Sequence, residues 1–366
     1  MKVRAAITAT AALLACVGLA ACGGDDDDGD AGNGGGGGKK IALLLPETKT
    51  TRYEQHDRPG FTDKVKELCP DCEVIYANAA QDATKQQAQA EAAITKGAAV
   101  VVLDAVDADA AAAMVERAKQ SDVPVIAYDR LISDADIDYY VSFDNVRQGR
   151  IEAHTLLSKL GGNGDGKSIV MINGSATDPS AGDYKKGAHQ VFDASGVDIA
   201  KEYDTPDWSP DKAQLEMEQA TTALGKENID AVYSANDGMA GGAIAAMKSA
   251  GLDPQRVPVT GGDAEVAAIQ RILAGEQYMT IYLTIKKQAE VSAQLAVAAA
   301  NGYKPPGGLV NAKVDNGQEQ VPSVLLTPVA VTIDNINDTI IKDGFLDPSE
   351  ICAGKYADAC KEAGIG

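Results

Sequence analysis

The chain has 366 residues, with 33 Lys and Arg against 53 Asp and Glu, a formal charge of -20 and a pI near 4.5. That balance excludes a nucleic-acid partner, whose phosphates need a basic surface. The length is more than one ordinary core needs, so two lobes are expected, and an aromatic share of only 5% beside abundant alanine suits many small-faced helices.

At the N-terminus, Lys2 and Arg4 precede an apolar run from Ala5 to Ala21 that ends in Leu19-Ala20-Ala21-Cys22. The run is too short and too alanine-rich for a comfortable membrane span, and small residues just before a cysteine suit a signal peptidase. This predicts a lipoprotein signal peptide over 1–21 and a mature chain that begins at Cys22 carrying lipid. The protein is then anchored outside the cytoplasm, at the cell surface or in the periplasm. An ordinary secretory signal with an incidental cysteine is the alternative, and it gives the same extracytoplasmic address. Residues 22–39 follow as a tether: from Gly23 to Gly38 there is only Gly, Asp, Asn and Ala. Nothing in it is apolar enough to repay the entropy of ordering, and such a coil reaches about 5–6 Å times the square root of its length. No later run is apolar enough to span a membrane.

From Lys40 the chain alternates short β-branched runs with amphipathic helices. Strands are predicted at Lys40 to Leu45, Glu73 to Ala77, Ala98 to Leu103, Val123 to Tyr128 and Tyr139 to Ser142, and a second series at Ser168 to Ile172, Asp198 to Tyr203, Ala231 to Ser234, Val257 to Thr260 and Met279 to Tyr282. Continuous apolar strands alternating with helices mean parallel sheets covered on both faces, so the expected class is α/β with two similar doubly wound lobes. Of the six cysteines, Cys16 lies in the signal and Cys22 is the expected lipidation site, leaving four. Two local disulfides are expected, Cys69-Cys72 and Cys352-Cys360, as in an exported protein. A redox CxxC should open a helix after a strand, whereas this one follows the expected helix Phe61 to Leu68 and precedes a strand. No histidine lies near either pair, which argues against zinc.

An internal echo firms the two-lobe reading. Ala-Val-Val-Val-Leu-Asp104, an alanine-rich helix and Val-Pro-Val-Ile-Ala-Tyr-Asp129 can be laid beside Asp-Ala-Val-Tyr-Ser-Ala-Asn236-Asp237, an alanine-rich helix and Val-Pro-Val-Thr-Gly-Gly-Asp263. Each half carries a carboxylate or amide just past the carboxyl end of two successive strands, the edge where open parallel sheets bind ligands. A single Asp after a strand is more often a turn former or helix cap. Such positions in register across both halves point instead to one cleft lined by Asp104, Asp129, Arg130, Asn236, Asp237 and Asp263.

Arg52 and Arg130 set against these carboxylates and one amide make a mixture of donors and acceptors. An anion would want mostly donors, and a metal would want clustered oxygens or histidines. The mixture suits a neutral polyhydroxyl compound, each hydroxyl donating to a carboxylate and accepting from a guanidinium. Tyr53, in the loop after the first strand, and Trp208, the only tryptophan, are placed to cover apolar sugar faces. Packing is the competing role for each.

The runs Val-Ile-Ala-Tyr-Asp-Arg-Leu-Ile (125 to 132), Ser-Phe-Asp-Asn (142 to 145), Ser-Ala-Asn-Asp (234 to 237), Gly-Gly-Asp-Ala-Glu (261 to 265), Ala-Gly-Glu-Gln-Tyr (274 to 278) and Leu-Leu-Thr-Pro-Val-Ala-Val (325 to 331) occur in order. On these motifs nearly everything after the tether resembles the D-xylose-binding and multiple-sugar-binding proteins of ABC transporters. The resemblance implies a type I periplasmic-binding-protein fold whose lobes close on a monosaccharide, xylose first among the candidates. It implies ligand roles for Arg52 and Tyr53, Asp129 and Arg130, Trp208, Asn236 and Asp237, and Asp263. Two departures stand out. Asp178-Pro179-Ser180 replaces an aspartate followed by Asn-Asn, Asp178 being kept in the expected ligand set, and Leu283 replaces a lysine after the tyrosine of the last crossing strand.

The lobes expected are 40–145 with 284–322, and 146–283 with 323–366. The hinges fall near Asp144 to Val146, near Leu283 to Ile285 and before Val324. The expected partners are a monosaccharide and an ABC permease with its ATPase, the chain acting as a monomer with no cofactor and no metal. Carboxylate pairs can hydrolyse glycosides, but the acids here are matched with arginine, and His56, His154 and His189 sit in no catalytic pattern, so no enzymatic activity is expected. A receptor that presents bound sugar to a signalling partner uses the same closed form, and the sequence does not separate the two roles.

Overall fold

The computed structural model describes residues 38–365. The expected signal peptide with Cys16, the expected lipidation site Cys22 and residues 22–37 of the expected tether lie outside the described residues.

The first lobe is built from β1 (Lys40–Leu45), α1 (Arg58–Leu68), β2 (Glu73–Asn78), α2 (Ala83–Thr95), β3 (Ala98–Leu103), α3 (Ala112–Lys119), β4 (Val125–Tyr128) and β5 (Tyr139–Phe143). The chain then enters the second lobe through α4 (Asn145–Lys159), β6 (Ser168–Asn173), α5 (Pro179–Phe192), β7 (Asp198–Asp204), α6 (Pro210–Leu224), β8 (Ala231–Ser234), α7 (Asp237–Ser249), α8 (Val266–Leu273) and β9 (Thr280–Tyr282). It returns through α9 (Ile285–Ala300), β10 (Ala312–Asp315) and β11 (Gln320–Leu326), then crosses back for β12 (Val329–Val331), α10 (Pro348–Ile351) and α11 (Ala357–Glu362).

The first sheet runs β10-β11-β5-β4-β3-β1-β2, parallel except for the antiparallel β10 at its edge. Because side chains alternate between faces, Ala42 and Leu44 pack into one core while Ile41, Leu43 and Leu45 pack with α1 and α9 into the other. Strand order reverses between β1 and β3, so a crevice opens beyond their carboxyl ends. The second lobe has the parallel trio β7-β6-β8 and the antiparallel pair β9-β12.

Most predicted strands coincide with observed ones within a residue or so, and two do not. Val257 to Thr260 makes only a single bridge, Val232 to Val259, although Val232 N–H donates to Pro258 C=O at 2.9 Å and Tyr278 N–H to Val259 C=O at 2.9 Å. Pro258 has no N–H to give to the ladder. Pro124 likewise delays β4 to Val125. The third crossing also moves. β11 stays in the first sheet through Leu326, paired with Phe143, so the chain changes lobes at 327–328 instead of before Val324. A fourth core surrounds the crossings, where Phe143, Tyr282 and Leu283 meet Ile336, Phe345 and Ile365 of the C-terminal segment. Disulfides join Cys69 to Cys72 and Cys352 to Cys360, with Cα atoms 5.3 and 5.7 Å apart.

Candidate functional site

The crevice is fed by loops at the carboxyl ends of strands in both lobes. After β1, buried Glu47 accepts the backbone N–H groups of Lys49 and Thr50, which folds the loop back and turns Arg52 inward. Arg52 is 4% exposed. Its guanidinium forks onto Asp57, with Nε at 3.0 Å and Nη2 at 2.9 Å, and donates through Nη1 to Asp129 Oδ1 at 3.1 Å and through Nη2 to Gln288 Oε1 at 2.6 Å. Gln288 Nε2 adds a second bond to Asp129 Oδ1 at 3.0 Å. One carboxylate oxygen of Asp129 is thus committed to the protein, and no hydrogen bond from the described residues reaches the other.

Asp129 sits at φ 63°, in the left-handed region that costs a non-glycine residue energy. Its carbonyl is held there by Tyr140 Oη at 3.1 Å, Ser142 Oγ at 2.7 Å and, from the other lobe, Ser180 Oγ at 3.3 Å. Trp208 (φ 53°) and Asp263 (φ 89°) are strained in the same way. Strain of this kind persists where surrounding bonds over-determine the backbone, and here it aims three side chains at one space.

Arg130 is 1% exposed. It donates to Ala105 C=O at 3.0 Å and to Tyr53 Oη at 3.3 Å, and its Nε lies 2.9 Å from Asp178 Oδ2 in the opposite lobe. Asp178 Oδ2 also takes the Trp208 indole N–H at 3.1 Å. Trp208 meets Tyr184 edge-on at 6.3 Å and lies against Gly174, whose missing side chain makes room for it. From the second lobe, Asn236 caps α7 by accepting Met239 N–H at 2.9 Å through Oδ1, and its Nδ2 has no partner among the described residues. The half-buried Asp263 carboxylate has none either. Burial raises its pKa well above 3.8, Arg52 being the largest opposing influence.

The cavity enclosed is about 350 Å³ including its mouth, lined by Thr50, Arg52, Tyr53, Asp129, Arg130, Gln148, Asp178, Tyr184, Trp208, Ala235, Asn236 and Asp263. Eight of the ten residues expected from the sequence are therefore brought together. Asp104 is not among the lining residues. It is fully buried with Oδ1 3.4 Å from Arg130 Nε, and burial raises its pKa against the pull of that arginine. Asp237 is a correction. Its carboxylate accepts Gln277 Nε2 at 2.7 Å, Thr280 Oγ1 at 2.8 Å and Glu265 N–H at 3.0 Å, so it ties α7 to β9 beneath the site. Burial pushes its pKa up to about 7. Leu283 packs in the core around the crossings and offers the cavity nothing.

Thr50, Gln148 and Tyr184 were not anticipated. Gln148 and Tyr184 lie on α4 and α5, and only their nearness to the first hinge and to the Asp178 loop could have marked them. The lobes touch directly: Thr51 Oγ1 donates to Glu265 Oε1 at 3.0 Å, Ala108 N–H to Thr177 C=O at 3.3 Å, and His56 stacks on Phe345 at 4.3 Å. The structure is the closed form. No cluster of possible metal ligands occurs among the described residues, and no helix there is long and apolar enough to cross a membrane.

Two doubly wound lobes linked by three crossings, closed over a polar crevice at their strand ends, define a type I periplasmic binding protein. The family profile described as "Periplasmic binding protein domain" matches residues 41–304. The D-xylose-binding periplasmic protein of Haemophilus influenzae is 38% identical over 310 residues, covering 83% of this chain and 90% of that protein. The multiple sugar-binding periplasmic receptor ChvE of Rhizobium radiobacter is 33% identical over 288 residues, 74% of this chain and 81% of its own. Among solved structures, an ABC transporter solute binding protein from Clostridium phytofermentans with bound β-D-glucose superposes with a TM-score of 0.77 at 25% identity, covering 86% of this chain and 100% of that one. The chain belongs to the family of D-xylose-binding and multiple-sugar-binding periplasmic proteins.

Proposed function

We propose that the protein captures a monosaccharide, with D-xylose the first candidate, between its two lobes and delivers it to the permease and ATPase of an ABC importer. It is held near them by lipid on Cys22 and by the tether. It catalyses nothing and acts as a monomer. The observation that carries this reading is the state of the cleft's polar groups. Both guanidinium groups are held by protein partners, Arg52 by Asp57, Asp129 and Gln288 and Arg130 by Ala105 C=O and Tyr53 beside Asp178, while the free carboxylate of Asp263, the second oxygen of Asp129 and the amide of Asn236 remain for a ligand that both donates and accepts. A neutral sugar does this hydroxyl by hydroxyl, with Trp208 and Tyr184 offering ring faces. A metal or an anionic ligand has no matching set.

Closure follows from contacts made to both lobes at once, since only a ligand that binds the closed form better shifts the balance. Micromolar affinity needs about 8 kcal/mol net, to which each bond to the Asp263 and Asp129 carboxylates contributes about 1.5–3 kcal/mol. The test is a thermal-shift screen with xylose, glucose, galactose, arabinose, ribose and inositol, because a ligand of the native state alone raises the melting point. A rise with at least one sugar is expected, and a rise with amino acids and none with sugars would overturn the reading. Sugar sensing is the second reading, favoured by the Rhizobium relative being named a receptor. A permease and ATPase encoded nearby favour uptake, and a sensor kinase alone favours signalling.

A further inference from the structure

The fourth residue of α4, Gln148, is 1% exposed and lines the cleft with Asn236 and Asp263. Its Nε2 donates to Glu152 Oε1 at 3.2 Å, one helical turn on. Its Oε1 is buried and has no hydrogen-bond partner among the described residues. Glu152 is fully buried, and burial raises its pKa well above 4.5 against the opposing influence of Tyr233 and Gln148. In either protonation state its Oε1 can accept from the amide. The backbone of Gly262 presses on the same group: a Cβ there would lie 3.3 Å from Gln148 Nε2 and 3.6 Å from Glu152 Oε1. The amide is therefore fixed with one N–H engaged by Glu152 inside the second lobe and its acceptor left over in a cleft-lining side chain.

A buried acceptor without a partner is costly, and a ligand hydroxyl that donates to it recovers that cost. We propose that Gln148 is a specificity-determining residue, which accepts a hydrogen bond from one hydroxyl of the bound monosaccharide, with Glu152 as the positioning residue that holds the acceptor toward the ligand. The proposal rests on the sugar-binding reading. It gives the second lobe three complementary points: a donor at Asn236 Nδ2, a carboxylate at Asp263 and a neutral acceptor at Gln148. A sugar lacking the hydroxyl that meets Gln148 leaves this acceptor stranded in the closed form and is discriminated against.

The test is calorimetric titration of the wild-type protein, Gln148→Met, Glu152→Gln and Glu152→Leu with D-xylose and its 2-, 3- and 4-deoxy derivatives. In the wild type one derivative should bind about 5- to 100-fold more weakly through loss of the Gln148 bond. In Gln148→Met, D-xylose should lose affinity by a similar factor while that derivative loses little, so that their ratio collapses. Glu152→Gln, which keeps an acceptor for the amide, should preserve the ratio, and Glu152→Leu should reduce it. The ratio is read within each variant, so a general loss of stability does not imitate the result, and Gln148→Leu replaces Gln148→Met if the latter does not fold. If xylose binds the wild type and every ratio is unchanged in the apolar variants, this inference fails while the sugar reading stands. If no sugar binds the wild type, both fail.

Discussion

Replacing Asp263 separates binding from stability more cleanly than any other change in the cleft. Its carboxylate makes no hydrogen bond to the described residues, burial raises its pKa, and Glu265 and Asp237 add like charge that raises it further. Its backbone at φ 89° is strained for any residue but glycine. Asp263→Gly therefore removes an uncompensated acid and relieves about 1–3 kcal/mol of backbone strain, against about 0.5–1 kcal/mol for the added freedom of the unfolded chain. The sugar-free protein should melt at or slightly above the wild-type temperature. Binding should suffer, because a charge-assisted bond is worth about 1.5–3 kcal/mol, which at about 1.4 kcal/mol per decade is a loss of roughly 10- to 150-fold. Asp263→Asn keeps a neutral acceptor worth about 0.5–1.5 kcal/mol and should fall between. Calorimetric titration with D-xylose and melting without sugar measure the two effects. Affinity within twofold of wild type, or a melting point several degrees lower without sugar, would refute the reasoning.

Asp237→Asn should do the opposite of Asp263→Gly. It disturbs bonds to Gln277, Thr280 and Glu265, so the melting point should fall while sugar affinity stays within about twofold. Gly174→Ala would place a Cβ 2.1 Å from Trp208 Cη2. Overpacking of that kind costs about 1–3 kcal/mol, and the displaced indole should weaken sugar binding by about tenfold or more in the same titration. His56, stacked on Phe345 with its pKa lowered by burial and by Arg52 from 6.5 to about 4, takes up its proton in the unfolded chain first. Its contribution to stability should therefore be present above pH 6.5 and be lost as the pH falls toward 4. The full shift corresponds to about 3 kcal/mol, which partial solvent access reduces to about 1–2 kcal/mol. Denaturant melts of wild type and His56→Gln across pH 4–8 should show the difference changing only in that window.

Much of the fold was legible because parallel strands buried on both faces read as continuous apolar runs, and β1, β3 and β8 have the bounds expected of them. The misreadings have local causes. Pro124 and Pro258 sit inside apolar runs but cannot donate to a ladder, while the return strand β10 is half charged and β11 is interrupted by Pro322. In the site, polar residues just past strand ends were readable from the parallel-sheet rule alone. Asn236 and Asp237 looked equivalent in sequence, yet one is the helix cap and the other the first helical residue, so their side chains leave the chain in different directions and only Asn236 lines the cleft. Gln148 and Tyr184 lay hidden because a single polar or aromatic residue on a helix carries no signal of which lobe faces it.

Trp208 is the only tryptophan in the chain and lines the cleft, so its fluorescence reports on the site alone. Titration of the purified protein with D-xylose, and then with the other five sugars, should give a saturable change for at least one of them. The fit should be one-to-one with a micromolar dissociation constant, and the midpoint should move at least tenfold in Asp263→Gly. No change with any of the six sugars up to millimolar concentration, or a change indifferent to Asp263→Gly, would contradict the claim that this cleft holds the sugar.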